Sequence, residues 1–451
     1  MAAELKDLHL ADLHQRAAVA GLPGYRKLGR EQLIEALGAH PDAAPAAPGR
    51  EAEEPDADPA APGREAEEAA GSGVVVEATV LDPEAEEPVE LGPEGPEAGD
   101  ESAEDHPTHE IRGVLELTRQ RYGFLRLAGL SPSEDDVYIS AAQVRRCELR
   151  PGDEVEGPAR DPRRGERHRA LVHVDRVNGE EPLAEERPEF DTLPPIPPER
   201  RLRLEGESAD LLARAVDLFT PLAFGQRVLI RAAARSGRTT LLRSLARAAA
   251  ANEGSRVIVL LIDERPEEAT AWREAVPVAE FAIATADLAP IEQVRIAELA
   301  LERARRRAEI GEDAVLVCDS LSRLAFAAGN ADDVKRLFGS GRNLAGGGSL
   351  TVLATVLADG SDEGEAERAV LTTESSLIVL DPELAAAGVH PAIRPAESRV
   401  SNEDQLREPE ELDAVRRLRS QLTDLRPADA AALLRERIET TSTNAELLDS
   451  L

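Results

Sequence analysis

Between residues 206 and 430, short hydrophobic runs alternate with longer stretches in which apolar residues return every three or four positions. The short runs predict strands and the longer stretches predict helices. The predicted strands are residues 228–230, 257–262, 314–318, 350–355 and 377–380, and the clearest predicted helix covers residues 292–309. This alternation predicts a mostly parallel sheet with helices on both faces, in an α/β domain that we place at residues 206–451.

A different pattern occupies residues 110–178, where polar and apolar residues alternate over short distances. Five such runs are separated by Gly and Pro, and they begin at residues 111, 122, 136, 153 and 170. Several short strands with turn residues between them are typical of a small closed barrel. We therefore predict an OB-like β-barrel here, followed by an extended Pro- and Glu-rich connector over residues 179–205.

Residues 1–40 carry apolar residues at helical spacing, with a Gly-Leu-Pro-Gly break at residues 21–24 and a second predicted helix over residues 30–38. The pattern predicts a small N-terminal helical module. A scaffolding or docking role for this module is at least as consistent with the sequence as direct contact with nucleic acid.

Residues 41–109 contain 21 acidic residues and two arginines, and Ala, Pro, Gly and Glu dominate the segment. An octapeptide, APGREAEE, occurs twice, at residues 47–54 and 61–68. So little apolar surface cannot offset the entropy of an ordered chain, and we predict a disordered acidic linker. A tail that binds a partner is the alternative interpretation.

The formal net charge of −34 argues against a protein that coats DNA with a basic surface. The two cysteines, Cys147 and Cys318, are far apart and give no metal-binding spacing, which indicates a reducing compartment. No apolar run is long enough for a membrane helix, and no signal peptide is evident. We expect a soluble, cytoplasmic protein that does not associate with membranes.

Residues 226–240 place a strand, a loop of small residues and a helix in succession. This is the order of a phosphate-binding loop, where backbone N–H groups and a helix N-terminus hold a polyphosphate and a hydroxyl binds Mg²⁺. The residues expected to bind ATP are Arg235, Ser236, Gly237, Arg238, Thr239 and Thr240, with Thr239 as a Mg²⁺ ligand. Two positions depart from the general pattern, because Ala232 replaces its first Gly and Arg238 replaces its phosphate-binding Lys.

Two further strands of the predicted sheet end in acidic residues, the first at Glu264 and the second at Asp319. The carboxyl ends of parallel strands meet along one crevice, so both acids should lie near the phosphate loop. Asp319 could then hold Mg²⁺ through water, and Glu264 could orient the attacking water. An acid at a strand end often only caps a helix, but the three segments in this order predict a RecA-like P-loop NTPase core.

The predicted barrel holds three of the ten Phe and Tyr residues of the chain, namely Tyr122, Phe124 and Tyr138. Arginines, including Arg126, lie close to them in the sequence. Aromatic rings beside arginines on a small barrel suit single-stranded RNA or DNA, because bases stack on the rings and phosphates pair with the guanidinium groups. For Phe124 a place in the barrel core is about equally consistent with the pattern.

With these segments in place, the chain resembles the transcription termination factor Rho family outside the acidic linker. In the barrel the resemblance lies in Tyr-Gly-Phe-Leu-Arg at residues 122–126 and Leu-Arg-Pro-Gly-Asp at residues 149–153. In the motor domain it lies in Leu-Leu-Ile-Asp-Glu-Arg-Pro-Glu-Glu at residues 260–268 and Asp-Ser-Leu-Ser-Arg-Leu-Ala at residues 319–325.

The resemblance implies a hexameric, ATP-driven RNA translocase that terminates transcription, with RNA polymerase as a further partner. It implies Glu264 as the catalytic carboxylate and Asp319 as the second acid, which binds Mg²⁺ together with Thr239. It also implies RNA-base pockets formed by six barrel residues, which are Tyr122, Phe124, Arg126, Asp136, Tyr138 and Glu166.

The motor departs from the family pattern at several positions. Arg235 and Arg238 replace two lysines of the phosphate loop, and a guanidinium cannot occupy a Lys pocket without rearrangement. The family's first pore loop is missing after residue 325, and the second is acidic at residues 359–365. Its interface arginines align with Gly388 and Ser401, and its adenine-stacking aromatic residue aligns with His390.

Two interpretations of these departures remain open. The first is an active Rho-like factor, and the second is a non-enzymatic paralogue that binds RNA or modulates termination with an inert motor. A decaying gene product is a third and weaker interpretation.

Overall fold

The computed structural model describes residues 107–183, 187–206, 210–358 and 364–451. The predicted helical module at residues 1–40 and nearly all of the acidic segment lie outside these ranges. Residues 359–363 also lie outside these ranges. They make up most of the acidic stretch at residues 359–365, which corresponds to the family's second pore loop.

The first part of the described chain is a small closed barrel. Its elements are β1 (Thr108–Leu117), β2 (Gly123–Arg126), β3 (Val137–Ile139), α1 (Ala141–Arg146), β4 (Glu154–Arg160), β5 (Arg169–Leu171) and β6 (Arg176–Val177). The strands follow the order β1-β2-β3-β5-β4-β6, and pairing of β1 with β4 closes the barrel. The five predicted strands correspond to β1–β5.

Alternation along the strands builds this barrel. Leu125 and Val137 are fully buried inside it, whereas Phe124 and Tyr138 are half-exposed on its outer face. Inward apolar and outward polar or aromatic positions are what a period of two residues imposes on a strand. The short helix α1 is fixed by a capping box between Ser140 and Gln143.

The connector adds two short strands to the sheets of the motor. They are β7 (Pro195–Ile196), which pairs with β14, and β8 (Arg201–Leu202), which pairs with β9. Phe190, which precedes them, is buried, so the predicted extended segment is packed along part of its length.

The motor domain contains the remaining elements. Its strands are β9 (Leu222–Ala223), β10 (Arg227–Ala232), β11 (Ser255–Glu264), β12 (Glu280–Thr285), β13 (Asp313–Asp319), β14 (Arg342–Leu344), β15 (Ser349–Leu357), β16 (Ser376–Val379) and β17 (Arg399–Val400). Its helices are α2 (Leu211–Phe219), α3 (Arg238–Ala250), α4 (Pro266–Ala275), α5 (Pro290–Glu309), α6 (Leu321–Ala328), α7 (Asp332–Gly339), α8 (Gly364–Val370), α9 (Pro382–Ala386), α10 (Glu403–Leu406), α11 (Pro409–Thr423), α12 (Pro427–Glu439) and α13 (Asn444–Asp449).

The central sheet has the order β12-β11-β13-β15-β10-β16-β17, and its first six strands are parallel. Strand β11 is buried on both faces: Val257, Val259 and Leu261 pack on one side, and Ile258 and Leu260 pack on the other. Helices α3, α4, α11 and α12 cover the first face, and α5 to α8 cover the second. The predicted fold class, a RecA-like P-loop core with an OB-like barrel, is confirmed.

The five predicted strands of the motor correspond to β10, β11, β13, β15 and β16, and strand β12 was not predicted. None of the helices in the described ranges is long and apolar enough to cross a lipid bilayer.

Candidate nucleotide and RNA sites

The phosphate loop joins β10 to α3. Strand β10 ends at Ala232, and the loop passes through left-handed backbone at Arg235, with φ of 61°, and at Gly237, with φ of 86°. Gly237 caps α3 without a side-chain hydrogen bond, so the first N–H groups of a 13-residue helix point out of its N-terminus. Such an end carries partial positive charge and binds anions.

Two side-chain groups of this loop are buried and have no hydrogen-bond partner in the described chain. They are Ser236 Oγ and one terminal nitrogen of Arg238, Nη1. A buried polar group without a partner is costly unless a ligand satisfies it. Phosphate oxygens bound in the loop would supply the missing acceptors, which fits these residues to a polyphosphate.

The hydroxyl group next to the loop contacts one of the predicted acids. Thr239 Oγ1 donates to Asp319 Oδ2 at 2.8 Å, and Thr355 Oγ1 donates to Asp319 Oδ1 at 2.8 Å. Asp319 and Thr355 are buried at the ends of β13 and β15, and β15 lies between β13 and β10 in the sheet. The two hydroxyls fix the orientation of the carboxylate from both sides.

These hard oxygen donors suit Mg²⁺, which is usually bound by one or two carboxylates together with substrate phosphates and water. The described residues contain no cluster of three or more His, Cys, Asp or Glu side chains that could hold a metal ion by themselves. Thr239 and Asp319 would supply two oxygen donors to such a cation, and phosphate oxygens and water would supply the others.

The second predicted acid, Glu264, is 7% exposed at the end of β11. Its carboxylate accepts a hydrogen bond from Arg323 Nη1, and the same nitrogen donates to the Ile262 carbonyl oxygen at 3.2 Å. The pairing of β11 with β12 shifts between Ile262 and Glu264, and Asp263 has a left-handed φ of 52°. A bulge of this kind re-aims the side chain that follows it.

A cavity of about 540 Å³ opens beside the phosphate loop, and Ser236 and Gly237 form one of its walls. Its other walls include Leu211, His390 and Arg435. His390 is the one aromatic ring of this lining, which combines apolar residues with charged ones. A concave site of this kind next to a phosphate loop is suitable for the base of a nucleotide.

Two arginines lie close in the sequence to Gly388 and Ser401, the altered interface positions, and both form ion pairs within the chain. Arg394 pairs with Asp381 at 3.0 Å, and Arg399 pairs with Glu374 at 2.6 Å. Gly388 follows α9 with a left-handed φ of 69°.

On the barrel, four rings form one outer cluster, which we call the aromatic face. The ring centroids of Tyr122 and Tyr138 are 5.6 Å apart, and those of Phe124 and Tyr138 are 6.2 Å apart. His168, which the sequence pattern did not single out, packs edge-on against Phe124 at 5.1 Å. Burial, and then Tyr122, raise the pKa of Tyr138, so its hydroxyl remains a hydrogen-bond donor at neutral pH.

Two of the predicted RNA-binding residues are buried beside this face. Arg126 is 9% exposed and Asp136 is 2% exposed, and the two form an ion pair. Arg126 also pairs with Glu116 on β1, and its guanidinium carbon lies 5.8 Å from the centroid of the Phe124 ring. Glu166 is partly exposed and pairs with Arg160 through two hydrogen bonds of 2.6 and 2.8 Å.

The comparisons with known proteins match both domains. Residues 111–183 match the family described as Rho termination factor, RNA-binding domain, and residues 213–331 match the ATP synthase alpha/beta family, nucleotide-binding domain. The transcription termination factor Rho of Bacillus subtilis is 39% identical over 363 residues, which cover 76% of this chain and 84% of that protein. The chain belongs to the transcription termination factor Rho family.

Two further Rho proteins give similar values. That of Rhodopirellula baltica is 38% identical, over 75% of this chain and 71% of its own length. That of Aquifex aeolicus is 36% identical, over 76% of this chain and 84% of its own length. As a Rho-family member, the chain carries an RNA-binding barrel and a nucleotide-binding domain.

The structure brings the predicted motor residues of this Rho-family chain together around one loop. It also adds Thr355 and Arg323, which contact the two acids and were not predicted. Thr355 lies inside a buried strand and gives no local signal of such a role. Arg323 lies within the family motif at residues 319–325, but that motif does not reveal its contact with Glu264. The connection from α6 to α7 consists only of residues 329–331, so this chain has no long loop there.

Proposed function

We propose that this Rho-family protein is an ATP-driven transcription termination factor, which binds single-stranded nascent RNA on its barrel and hydrolyses Mg²⁺-ATP in its motor. The observation that carries the proposal is the contact between Thr239 and Asp319 beside the phosphate loop. The contact gathers on one chain the hydroxyl and the carboxylate that a nucleotide-bound Mg²⁺ requires.

In this proposal the phosphate loop holds the nucleotide. Backbone N–H groups at the start of α3, Ser236 Oγ and the Arg238 guanidinium would bind the phosphates, and Thr239 and Asp319 would hold Mg²⁺. Bound Mg²⁺ would neutralise charge on the phosphate oxygens. Thr355 keeps the Asp319 carboxylate oriented toward that position.

Glu264 orients the attacking water and accepts its proton. Its burial and its pairing with Arg323 hold the carboxylate in one place, which favours a water molecule in a defined position. General-base catalysis of this kind contributes about 10²–10⁴-fold in rate.

The aromatic face binds RNA bases by stacking, and Glu166 accepts hydrogen bonds from base edges. The resemblance to the family favours pyrimidines. We further propose a cytoplasmic homo-oligomer, a hexamer as in the family, which meets RNA polymerase on its transcript. In the sequence, Arg394 and Arg399 are the arginines nearest to Gly388 and Ser401, the altered interface positions of such a ring.

ATP hydrolysis by the purified protein, with and without polycytidylic RNA, tests the motor. We expect RNA to stimulate the rate, and we expect Glu264→Gln to lower kcat by about 10²-fold or more while nucleotide affinity is kept. Equal background rates for the two proteins, with RNA bound normally, would instead establish the inert-motor interpretation.

A further inference from the structure

The phosphate loop contains one arginine to which the proposed function gives no role. This is Arg235, which lies in the middle of the loop between β10 and α3. By contrast, Arg243 of the following helix pairs with Glu268 at 2.7 Å, and Arg323 pairs with Glu264. Arg235 is exposed and forms no ion pair with any of the residues that the structure describes. Its positive charge is therefore available to a ligand of the loop.

The backbone of Arg235 indicates that the loop retains this side chain at a cost. Its left-handed φ of 61° is a conformation that glycine adopts freely and that a side chain disfavours. The three residues before it, 232–234, are all alanine, so the loop is otherwise built from small side chains. Strained residues of this kind are concentrated at ligand-binding and catalytic sites. The position therefore serves the guanidinium group and not the path of the backbone.

Phosphoryl transfer requires positive charge beside the γ-phosphate, and an arginine supplies it either from a neighbouring protein or from the same chain. The positions that correspond to the family's interface arginines are Gly388 and Ser401, and neither side chain is charged. The nearest arginines in the sequence, Arg394 and Arg399, are held in ion pairs of 3.0 and 2.6 Å within the chain. Arg235 is not held in this way, and it belongs to the loop that surrounds the phosphates.

We propose that Arg235 is a catalytic residue that supplies this charge in cis, so that each subunit hydrolyses ATP with an arginine of its own chain. The inference rests on the proposed function and adds a residue to its motor. Arg238 would bind the phosphates of ATP in the ground state, whereas Arg235 would contact the γ-phosphate during its transfer.

The transfer itself is an in-line displacement by water. The water oxygen forms a bond to the γ-phosphorus while the bond from that phosphorus to the β–γ bridging oxygen breaks. ADP leaves with the bonding electron pair, and Glu264 accepts the proton of the water. Negative charge then spreads over the oxygens of the transferred group, and the planar guanidinium of Arg235 can donate to two of them.

Steady-state kinetics of RNA-stimulated ATP hydrolysis test the catalytic role. We expect Arg235→Ala to lower kcat by about 10³-fold with little change in KM, because the lost contact is made mainly in the transition state. Arg235→Lys should recover part of kcat, since it returns the charge without the planar donor geometry. Arg256→Ala is the matched control and should keep the unmodified rate. Arg256 is an exposed arginine at the start of β11, on the opposite edge of the sheet from the loop.

A binding measurement separates this role from damage to the loop. The variant Arg235→Ala should bind ADP with Mg²⁺ as tightly as the unmodified protein, because ADP lacks the γ-phosphate. Aluminium fluoride mimics that phosphate during transfer, and it should tighten ADP binding by about 10²-fold or more in the unmodified protein and not in the variant. A loss of ADP affinity as large as the loss of kcat would show that Arg235 shapes the loop or holds the ground state, and the inference would be wrong.

Mixing two inactive variants shows whether the arginine acts within its own chain. Equal amounts of the Arg235→Ala and Glu264→Gln proteins contain no complete site if Arg235 acts in cis, so we expect no recovery of the rate. Recovery to about a quarter of the unmodified rate is expected if each site takes its arginine from a neighbour, and this result would overturn the inference. An unchanged kcat in Arg235→Ala would overturn it as well. Absence of ATP hydrolysis by the unmodified protein would instead refute the proposed function.

Discussion

Arg323 is the only residue whose side chain donates a hydrogen bond to Glu264 in the described part of the chain. It reaches the carboxylate from α6, 59 positions along the chain, and also holds the carbonyl of the bulge at Ile262. Burial makes the largest single contribution to the pKa of Arg323 and lowers it, but the negative charges of Glu264 and then Asp319 raise it. Together the carboxylates outweigh burial, so the pKa of Arg323 is raised and its guanidinium stays charged. We infer that Arg323 positions the general base and does not bind ATP.

Replacing Arg323 tests this role. We expect Arg323→Ala to lower kcat by about 10- to 100-fold with little change in KM for ATP, because a misplaced base costs rate and not ground-state binding. Arg323→Lys should restore part of kcat, since it restores the charge. Steady-state ATPase kinetics give both constants, and an increase in KM as large as the decrease in kcat would contradict the assignment. Thermal unfolding of both variants controls for damage from an unpaired buried carboxylate.

Glu166 offers a pH test at the RNA site. Hydrogen bonds from Arg160 lower the pKa of Glu166 to about 2, from an ordinary value of 4.5. Because the folded-state pKa is depressed, the stabilisation that this ion pair gives is present above the unfolded-state pKa. It is lost only as the pH falls through the folded-state value. Glu166 should therefore stay charged throughout the range in which the protein is used.

We expect Arg160→Met to return the pKa of Glu166 toward 4.5, so that RNA affinity falls as the pH approaches that value. Oligouridine binding is measured for the unmodified protein and the Arg160→Met variant between about pH 4.5 and about pH 8. The ratio of the two affinities cancels the effect of other groups that titrate in both proteins. The ratio should change by about twofold near pH 4.5, where half of the carboxyl groups are protonated in the variant. A constant ratio would show that the charge of Glu166 does not matter for RNA.

At the scale of elements, periodicity was sufficient for most of the structure. Strands buried on both faces, such as β11 and β13, appear as unbroken apolar runs, and the strands of the barrel appear as alternation. Strand β12 (Glu280–Thr285) has neither feature. Its extended form depends on pairing with β11 on one side and on contacts with the barrel on the other, which no local pattern reveals.

The residues of the sites were predictable only where they belong to a motif. The phosphate loop and the two acids occupy recognisable strand ends, but Thr355 belongs to no motif and contacts Asp319 across 36 positions. Arg323 belongs to the motif at residues 319–325, yet its contact with Glu264 spans 59 positions and could not be predicted from that motif. The barrel shows the converse case, in which a residue is predicted from its motif but its surroundings are not. Arg126 lies within a motif that suggests direct RNA contact, yet the fold buries it between Glu116 and Asp136.

At the scale of the whole molecule, the barrel is fixed to the motor by polar contacts in the interface. Arg303 of α5 is 1% exposed and pairs with Glu154 of the barrel and Glu280 of β12. Burial alone would raise the pKa of Glu154, but Arg303 and its neighbours hold it below the ordinary value. Ser131 Oγ exchanges hydrogen bonds of 2.8 Å with the backbone of Ile283, which covers the free edge of β12.

The tightest point of this interface is Gly152. Its φ is +83°, and a Cβ atom there would lie 2.5 Å from the backbone nitrogen of Arg303, against the helix α5 that packs on α6. Helix α6 carries Arg323, so the interface connects the RNA-binding barrel to Glu264, the proposed general base, through packed elements. A rigid path of this kind gives RNA binding a means to affect hydrolysis.

Gly152→Ala should weaken that connection. The left-handed backbone alone costs an alanine about 1–2 kcal/mol, and the clash with α5 adds to this cost. Gly179→Ala is the matched control, because Gly179 has a φ of +88° with nothing within 4 Å of its Cβ position, so it carries the backbone cost without the clash.

We expect Gly152→Ala to unfold at a lower temperature than Gly179→Ala. We also expect it to lose most RNA stimulation of ATP hydrolysis while it keeps its affinity for short oligocytidine. Equal stimulation in the two variants would show that the barrel and the motor communicate by another route, such as contacts between subunits.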